Sequence, residues 1–295
     1  MKEQEAETYT GFKSVTLNEE EQSQFYSKYL QSTIKRDGSV FTENPYNLLI
    51  NQYLLIKDSS NNLIDQYKYT ETGYKKIPFN VFTSRMFGHV KPIDEYQQLA
   101  MDSMRTNQIT MIRGAAGTGK SYLSFAYLFE LLEKREIDKI IIFCNTVATS
   151  GSARLGFYPG TRDEKLLDSQ IGNLLASKIG DKGAVEAMIE HGDLVLLPMS
   201  DIRGYDTTGM NAGIYISEAQ NLDIELMRLA LQRIGKDSVC ILDGDSETQV
   251  DLPMYNNKNN GMRRVSEIFR GDACYGEVTL QTIHRSHIAE LAQKL

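Results

Sequence analysis

The run Gly114-Ala115-Ala116-Gly117-Thr118-Gly119-Lys120-Ser121 sets two glycines five positions apart and follows them with a cation and a hydroxyl. That residue set wraps a phosphate chain. The glycines let the backbone curl until successive N–H groups face phosphate oxygens, and a helix opening at the same point adds its positive end. Lys120 is then placed to reach the β- and γ-phosphates, and Ser121 to offer its hydroxyl to Mg²⁺. The apolar stretch 109–113 runs straight into the loop and a helix-like stretch leaves it from Tyr122. This context, rather than an incidental glycine-rich turn, predicts binding of a nucleoside triphosphate with Mg²⁺.

A phosphate cradle does not choose between kinase, motor, switch and helicase. Other groups narrow the choice. Glu218 follows the apolar run 212–217, where a carboxylate can orient an attacking water. Asp245 and Gln249 follow the run 238–243, where polar groups can sense the γ-phosphate. Gln97, ahead of the first core strand, can hydrogen-bond adenine, and Arg285 starts a C-terminal helical pattern. Three of them have a plainer reading: Asp245 and Gln249 as polar loop residues, Arg285 as an exposed arginine at a helix start. The stretch Ala153–Lys165 interleaves Arg154, Arg162 and Lys165 with Phe157 and Tyr158. Such a mixture suits stacking of single-stranded bases with cations on the phosphates. It also suits a turn whose two aromatics cap the core.

Positioning these groups calls for strands at 109–113, 139–144, 193–198, 212–217 and 238–243, separated by helical patterns such as 223–234. Apolar runs without alternation imply a parallel sheet covered on both faces, hence an α/β fold. Ahead of it, the runs 48–58 and 63–70, with turn signals at 59–62 and 71–73, read as a small β-rich module. A helix is expected from Asn18, with Glu19, Glu20 and Glu21 in its first turn, and the polar start to about residue 15 is expected to be mobile. The expected division is 1–41 for N-terminus and helix, 42–88 for the module and 89–295 for the nucleotide domain.

A net charge of -7 argues against a broad basic surface, though not against a local basic groove. No apolar run approaches a membrane span, and the first residues lack the apolar core of an export signal. Cys144, Cys240 and Cys274 have no disulfide or zinc spacing, which with the rest predicts a cytoplasmic setting. His284 and His287 have no accompanying ligand cluster, so no metal besides Mg²⁺ is expected.

Taken in order, PIDEYQ ending at Gln97, GAAGTGKS, LGFYPGTRDEK, Arg203-Gly204, SEAQN, the RIG at 233–235, GDSETQVDLP and HRS resemble the PhoH family of P-loop ATPases. That family is related to the first core domain of superfamily 1 helicases. The resemblance spans residues 90–295. It implies a RecA-like P-loop NTPase fold, ATP and Mg²⁺ as ligands, and catalysis by Lys120, Glu218, Gln249 and Arg285. It further implies RNA or single-stranded DNA as partner, with Arg203 joining the Ala153–Lys165 stretch, and unwinding or remodelling as the output. The β-rich module resembles the connector of fused PIN–PhoH proteins, but the acids of a PIN nuclease are missing, so ribonuclease activity is not expected. Arg285 would act from the chain's own tail or from a neighbouring subunit, and trans supply implies a homo-oligomeric ring such as a hexamer.

The sequence departs from the family pattern at three places. Ser217 stands where the family has the aspartate of an Asp-Glu pair, leaving a weak hydroxyl contact to Mg²⁺. Cys144-Asn145-Thr146 replaces Thr-Arg-Pro, and Tyr205-Asp206 replaces Arg-Thr. Such divergence resembles the PhoH-like proteins of bacteriophages, implying the host cytoplasm. The alternative to an ATPase is a nucleotide-dependent switch or partner-binding protein in which hydrolysis has weakened.

Overall fold

A chain with acidic Glu19–Glu21 behind Asn18 should open a helix, and it does. In a computed structural model of the chain, which describes residues 9–30, 33–34, 40–41, 43–144, 175, 177, 180–205, 207, 209–245 and 259–284, α1 spans Glu19–Gln24. Asn18 Oδ1 accepts from the Glu21 N–H at 2.9 Å, and Glu21 Oε2 accepts from the Asn18 N–H at 2.8 Å, a reciprocal cap. One wider turn, Phe25–Tyr29, continues it and buries Phe25 completely.

The N-terminal sheet contains β1 (Phe12–Thr16), β4 (Tyr53–Lys57), β5 (Leu63–Thr70) and β6 (Gly73–Lys76), in the order β1-β4-β5-β6. β1 runs parallel to β4, and the other pairs are antiparallel. Two short hairpins, β2 (Thr33–Ile34) with β3 (Val40–Phe41) and β7 (Phe82–Ser84) with β8 (Gly88–Val90), complete this region. Phe12–Thr16, part of the start expected to be mobile, instead pairs with β4 and half-buries Phe12 and Val15, so the sheet reaches back across residue 42. β4 alternates. Leu54 and Ile56 face Phe25 and Tyr67, while Tyr53 and Leu55 face the core of the nucleotide domain. Both faces of β4 are thus covered, one of them by the core of the larger domain.

The larger domain carries the expected parallel sheet plus one more strand. β9 (Ile109–Arg113), β10 (Lys139–Cys144), β11 (Leu194–Pro198), β12 (Ala212–Ile216), β13 (Val239–Gly244) and β14 (Tyr275–Thr279) lie in the order β11-β10-β12-β13-β9-β14, every pair parallel. Alternate residues face opposite layers, as strand geometry requires. Ile140 and Ile142 pack with α2 (Glu95–Thr106) and α3 (Lys120–Glu133). Ile141 and Phe143 belong to the other layer, with Met227 of α5 (Ile224–Leu231) and Met262 of α6 (Gly261–Phe269). Between β10 and β11 lies α4 (Lys182–His191), closed by Gly192 in the left-handed conformation. β14 escapes prediction because Gly276 and Glu277 interrupt its apolar character. Glu277 is buried in an ion pair with Arg113 of β9 at 2.9 Å. Among the described residues no helix is long and apolar enough to cross a membrane.

Candidate nucleotide site

All six strands point the same way, so their carboxyl ends share one edge of the sheet, where ligands of open α/β sheets bind. The loop 114–119 joins β9 to α3 there. Gly114 has φ +141°, and a Cβ on it would stand 2.6 Å from the Leu280 carbonyl oxygen. Gly119 has φ +97°, and its Cβ would meet Gln97 Nε2 at 2.8 Å. Thr118 is buried and donates from Oγ1 to the Ala115 carbonyl at 3.0 Å, closing the curl. Helix α3 begins with no side-chain cap, the kind of helix start that favours an anion. Lys120 Nζ donates to the carbonyls of Gly114 at 2.6 Å and Ala115 at 3.0 Å, so its charge already sits at the loop. A glycine cradle, an uncapped helix start and a poised ammonium fit a phosphate chain.

Behind this cradle lies a carboxylate that the sequence reading did not single out. Asp243 is the last residue but one of β13, which lies between β9 and β12, and is 2 % exposed. Its Oδ2 accepts from Ser121 Oγ at 2.9 Å and from the Tyr215 hydroxyl at 2.6 Å, and its Oδ1 accepts from the Glu218 N–H at 3.3 Å. Burial pushes this carboxyl above its ordinary range, against the opposing pull of the Lys120 ammonium. Burial, and then the Asp243 charge, push the Tyr215 hydroxyl well above its ordinary range, with Ser121 and Ser217 also hydrogen-bonded to it. Ser217 is buried beside this group and carries no charge. Mg²⁺ is usually held by one or two protein oxygens together with phosphates and waters, which a hydroxyl next to a carboxylate fits.

Glu218 is exposed at the same edge, with φ +51°, a left-handed conformation uncommon for a side chain of this size. Gln220 Nε2 donates to Glu218 Oε2 at 2.6 Å, while Gln220 Oε1 accepts from the Asp245 N–H at 3.2 Å. Asn260 Nδ2 holds the Gln220 carbonyl at 3.0 Å. Gln220 thereby links the ends of β12 and β13, a role not anticipated from SEAQN. The predicted Glu218 and buried Asp245 are brought together by it.

Gln97 is buried against the loop. Its Nε2 donates to the Thr118 carbonyl at 3.0 Å and its Oε1 accepts from the Ile93 N–H at 3.2 Å. Asp94 caps α2 by accepting from the Gln97 N–H at 2.7 Å. Arg203 is exposed in the short 3₁₀ segment Met199–Gly204 after β11, at the far end of the sheet from the loop. Gln249, Arg285, Arg154, Phe157, Tyr158, Arg162 and Lys165 lie outside the described residues.

This arrangement defines a P-loop α/β domain built on a parallel sheet. Residues 89–295 match the family described as PhoH-like protein, and the chain belongs to that family. It is 30% identical, over 98% of its length, to protein PhoH2 of Bacillus subtilis (strain 168), of which it covers 64%. It is 31% identical, over 70% of its length, to the PhoH-like protein of Mycobacterium tuberculosis (strain ATCC 25618 / H37Rv), of which it covers 54%. The chain therefore spans less than two thirds of the length of these relatives. Among solved structures, unliganded Pif1 from Bacteroides sp is similar at a TM-score of 0.31 and 15% identity, covering 69% of this chain and 45% of that one. Bacteroides Pif1 bound to ssDNA is similar at a TM-score of 0.32 and 12% identity, with the same shares covered.

Proposed function

We propose that the chain binds ATP with Mg²⁺, hydrolyses it, and couples turnover to remodelling or unwinding of RNA or single-stranded DNA in the cytoplasm. The observation that carries this reading is the hydrogen-bonded link from Ser121 through Asp243 to the backbone of Glu218. It fixes an exposed carboxylate in relation to a preformed phosphate cradle. In this reading the loop amides and Lys120 hold the phosphates, Gln97 supports the loop and meets adenine, and Glu218 orients the attacking water. Bound Mg²⁺ supplies charge neutralisation at the β- and γ-phosphates. Ser121 faces the ion, and Ser217 offers it a weak contact at most. Asp245 and Gln249 sense the γ-phosphate from the end of β13.

Nucleic acid is assigned to Arg154, Phe157, Tyr158, Arg162, Lys165 and Arg203, on their composition and on membership of the family. Arg285 completes the site from its own chain or from the next subunit of a ring. The hydrogen bond of the preceding residue, His284, to Gly117 favours its own chain.

A second reading, a nucleotide-dependent switch with weakened hydrolysis, is favoured by the uncharged Ser217 at the end of β12. Steady-state ATP hydrolysis with and without single-stranded RNA, beside Lys120→Ala, separates the two. Turnover raised by RNA and lost in the variant supports the motor. Tight nucleotide binding with no turnover supports the switch.

A further inference from the structure

We propose that Asp243 supplies the carboxylate that anchors the magnesium ion of the bound nucleotide, a task the end of β12 does not perform in this chain. The inference rests on the nucleotide-binding reading above and assigns a residue to it.

Three observations carry it. Asp243 Oδ2 lies 2.9 Å from Ser121 Oγ, so the hydroxyl assigned to the ion in that reading and a carboxylate oxygen stand side by side. Asp243 is on β13, directly beside β9, the strand that feeds the phosphate loop. Ile216 pairs with Leu242, so Ser217 and Asp243 each follow one member of a paired couple on neighbouring strands. The carboxylate of Asp243 stands one strand nearer the loop than Ser217 does.

A carboxylate this buried is costly unless its oxygens are satisfied. Tyr215, Ser121 and the Glu218 N–H satisfy them and fix the carboxylate plane, as outer partners do for metal ligands. Tyr215 is thus a positioning residue. The competing role for Asp243 is purely structural, tying β12, β13 and α3 together.

The test is an equilibrium titration with a fluorescent, non-hydrolysable ATP analogue, once with Mg²⁺ and once with EDTA, read as the ratio of the two affinities. Asp243→Asn should lower that ratio by about 10- to 100-fold, and Ser217→Asp added to it should restore part of the loss. Asp243→Asn that keeps the wild-type ratio would overturn the proposal. Ser217→Asp alone keeps the buried aspartate and covers the case in which Asp243→Asn does not fold. Its ratio should not rise, and a gain of about tenfold or more would mean that the site had lacked its carboxylate. Wild-type protein that binds no analogue in either condition would overturn the nucleotide reading and this one with it. Wild-type binding with unchanged Mg²⁺ dependence in Asp243→Asn overturns this one alone.

Discussion

The backbone N–H of His284 donates to the Gly117 carbonyl at 3.0 Å, so the segment leaving β14 lies on the phosphate loop itself. Its imidazole Nε2 meets Asp94 Oδ2 at 2.6 Å, and Asp94 also caps α2. One carboxylate therefore joins the helix that carries Gln97 to the segment that covers the loop. Asp94→Ala should lower stability by about 1 kcal/mol through the lost cap and weaken nucleotide binding. Asp94→Asn should recover the cap. Urea unfolding and analogue titration of both variants check this, and equal stability of Asp94→Ala and wild type would contradict it.

Gly119→Ala probes the loop directly. Its left-handed backbone resists a side chain by about 1–2 kcal/mol. The new methyl would also press on the Gln97 amide, which holds the Thr118 carbonyl. Nucleotide affinity should fall by more than the change in folding stability accounts for. Calorimetric binding beside a thermal melt measures both.

Lys68 of β5 reports how the N-terminal sheet is docked. Its Nζ donates to Thr106 Oγ1 at 2.6 Å and to Asn107 Oδ1 at 3.1 Å, at the end of α2. Burial pushes its ammonium down to about 8, below the roughly 10.4 of an unfolded lysine. The folded group releases its proton first, so between those values the unfolded chain binds more protons and stability rises with pH. Relative to Lys68→Met, wild type should gain about 2 kcal/mol between pH 7 and pH 9.5 in urea unfolding. Parallel pH dependences would show that Lys68 is solvated and the sheet undocked.

Much of this architecture is legible in the sequence, for reasons that differ by element. The phosphate loop is local: its glycines, Lys120 and Ser121 declare themselves within eight residues. The strands β9 to β13 announce themselves as apolar runs because both their faces are buried. β14 does not, since its burial depends on an ion pair between Glu277 and Arg113, 164 positions apart. Asp243 is visible as an acid ending an apolar strand, but its meeting with Ser121 follows from strand order, which no local pattern encodes. An acid at 243 beside a serine at 217 is the one signal that could have revealed it.

The Arg113–Glu277 pair has its own test. Glu277→Gln leaves a buried guanidinium without its counter-charge, a change that costs about 3–5 kcal/mol. Arg113→Met combined with Glu277→Gln should be more stable than Glu277→Gln alone. Denaturant midpoints of the single and double variants decide it.

The most direct measurement of the site's role is turnover of pre-bound ATP by wild type and Glu218→Gln. The variant should still bind nucleotide through the loop and Lys120, while hydrolysis falls about 10²- to 10⁴-fold with loss of the group that orients water. Hydrolysis at the wild-type rate in Glu218→Gln would contradict the assignment of this edge of the sheet as the catalytic centre.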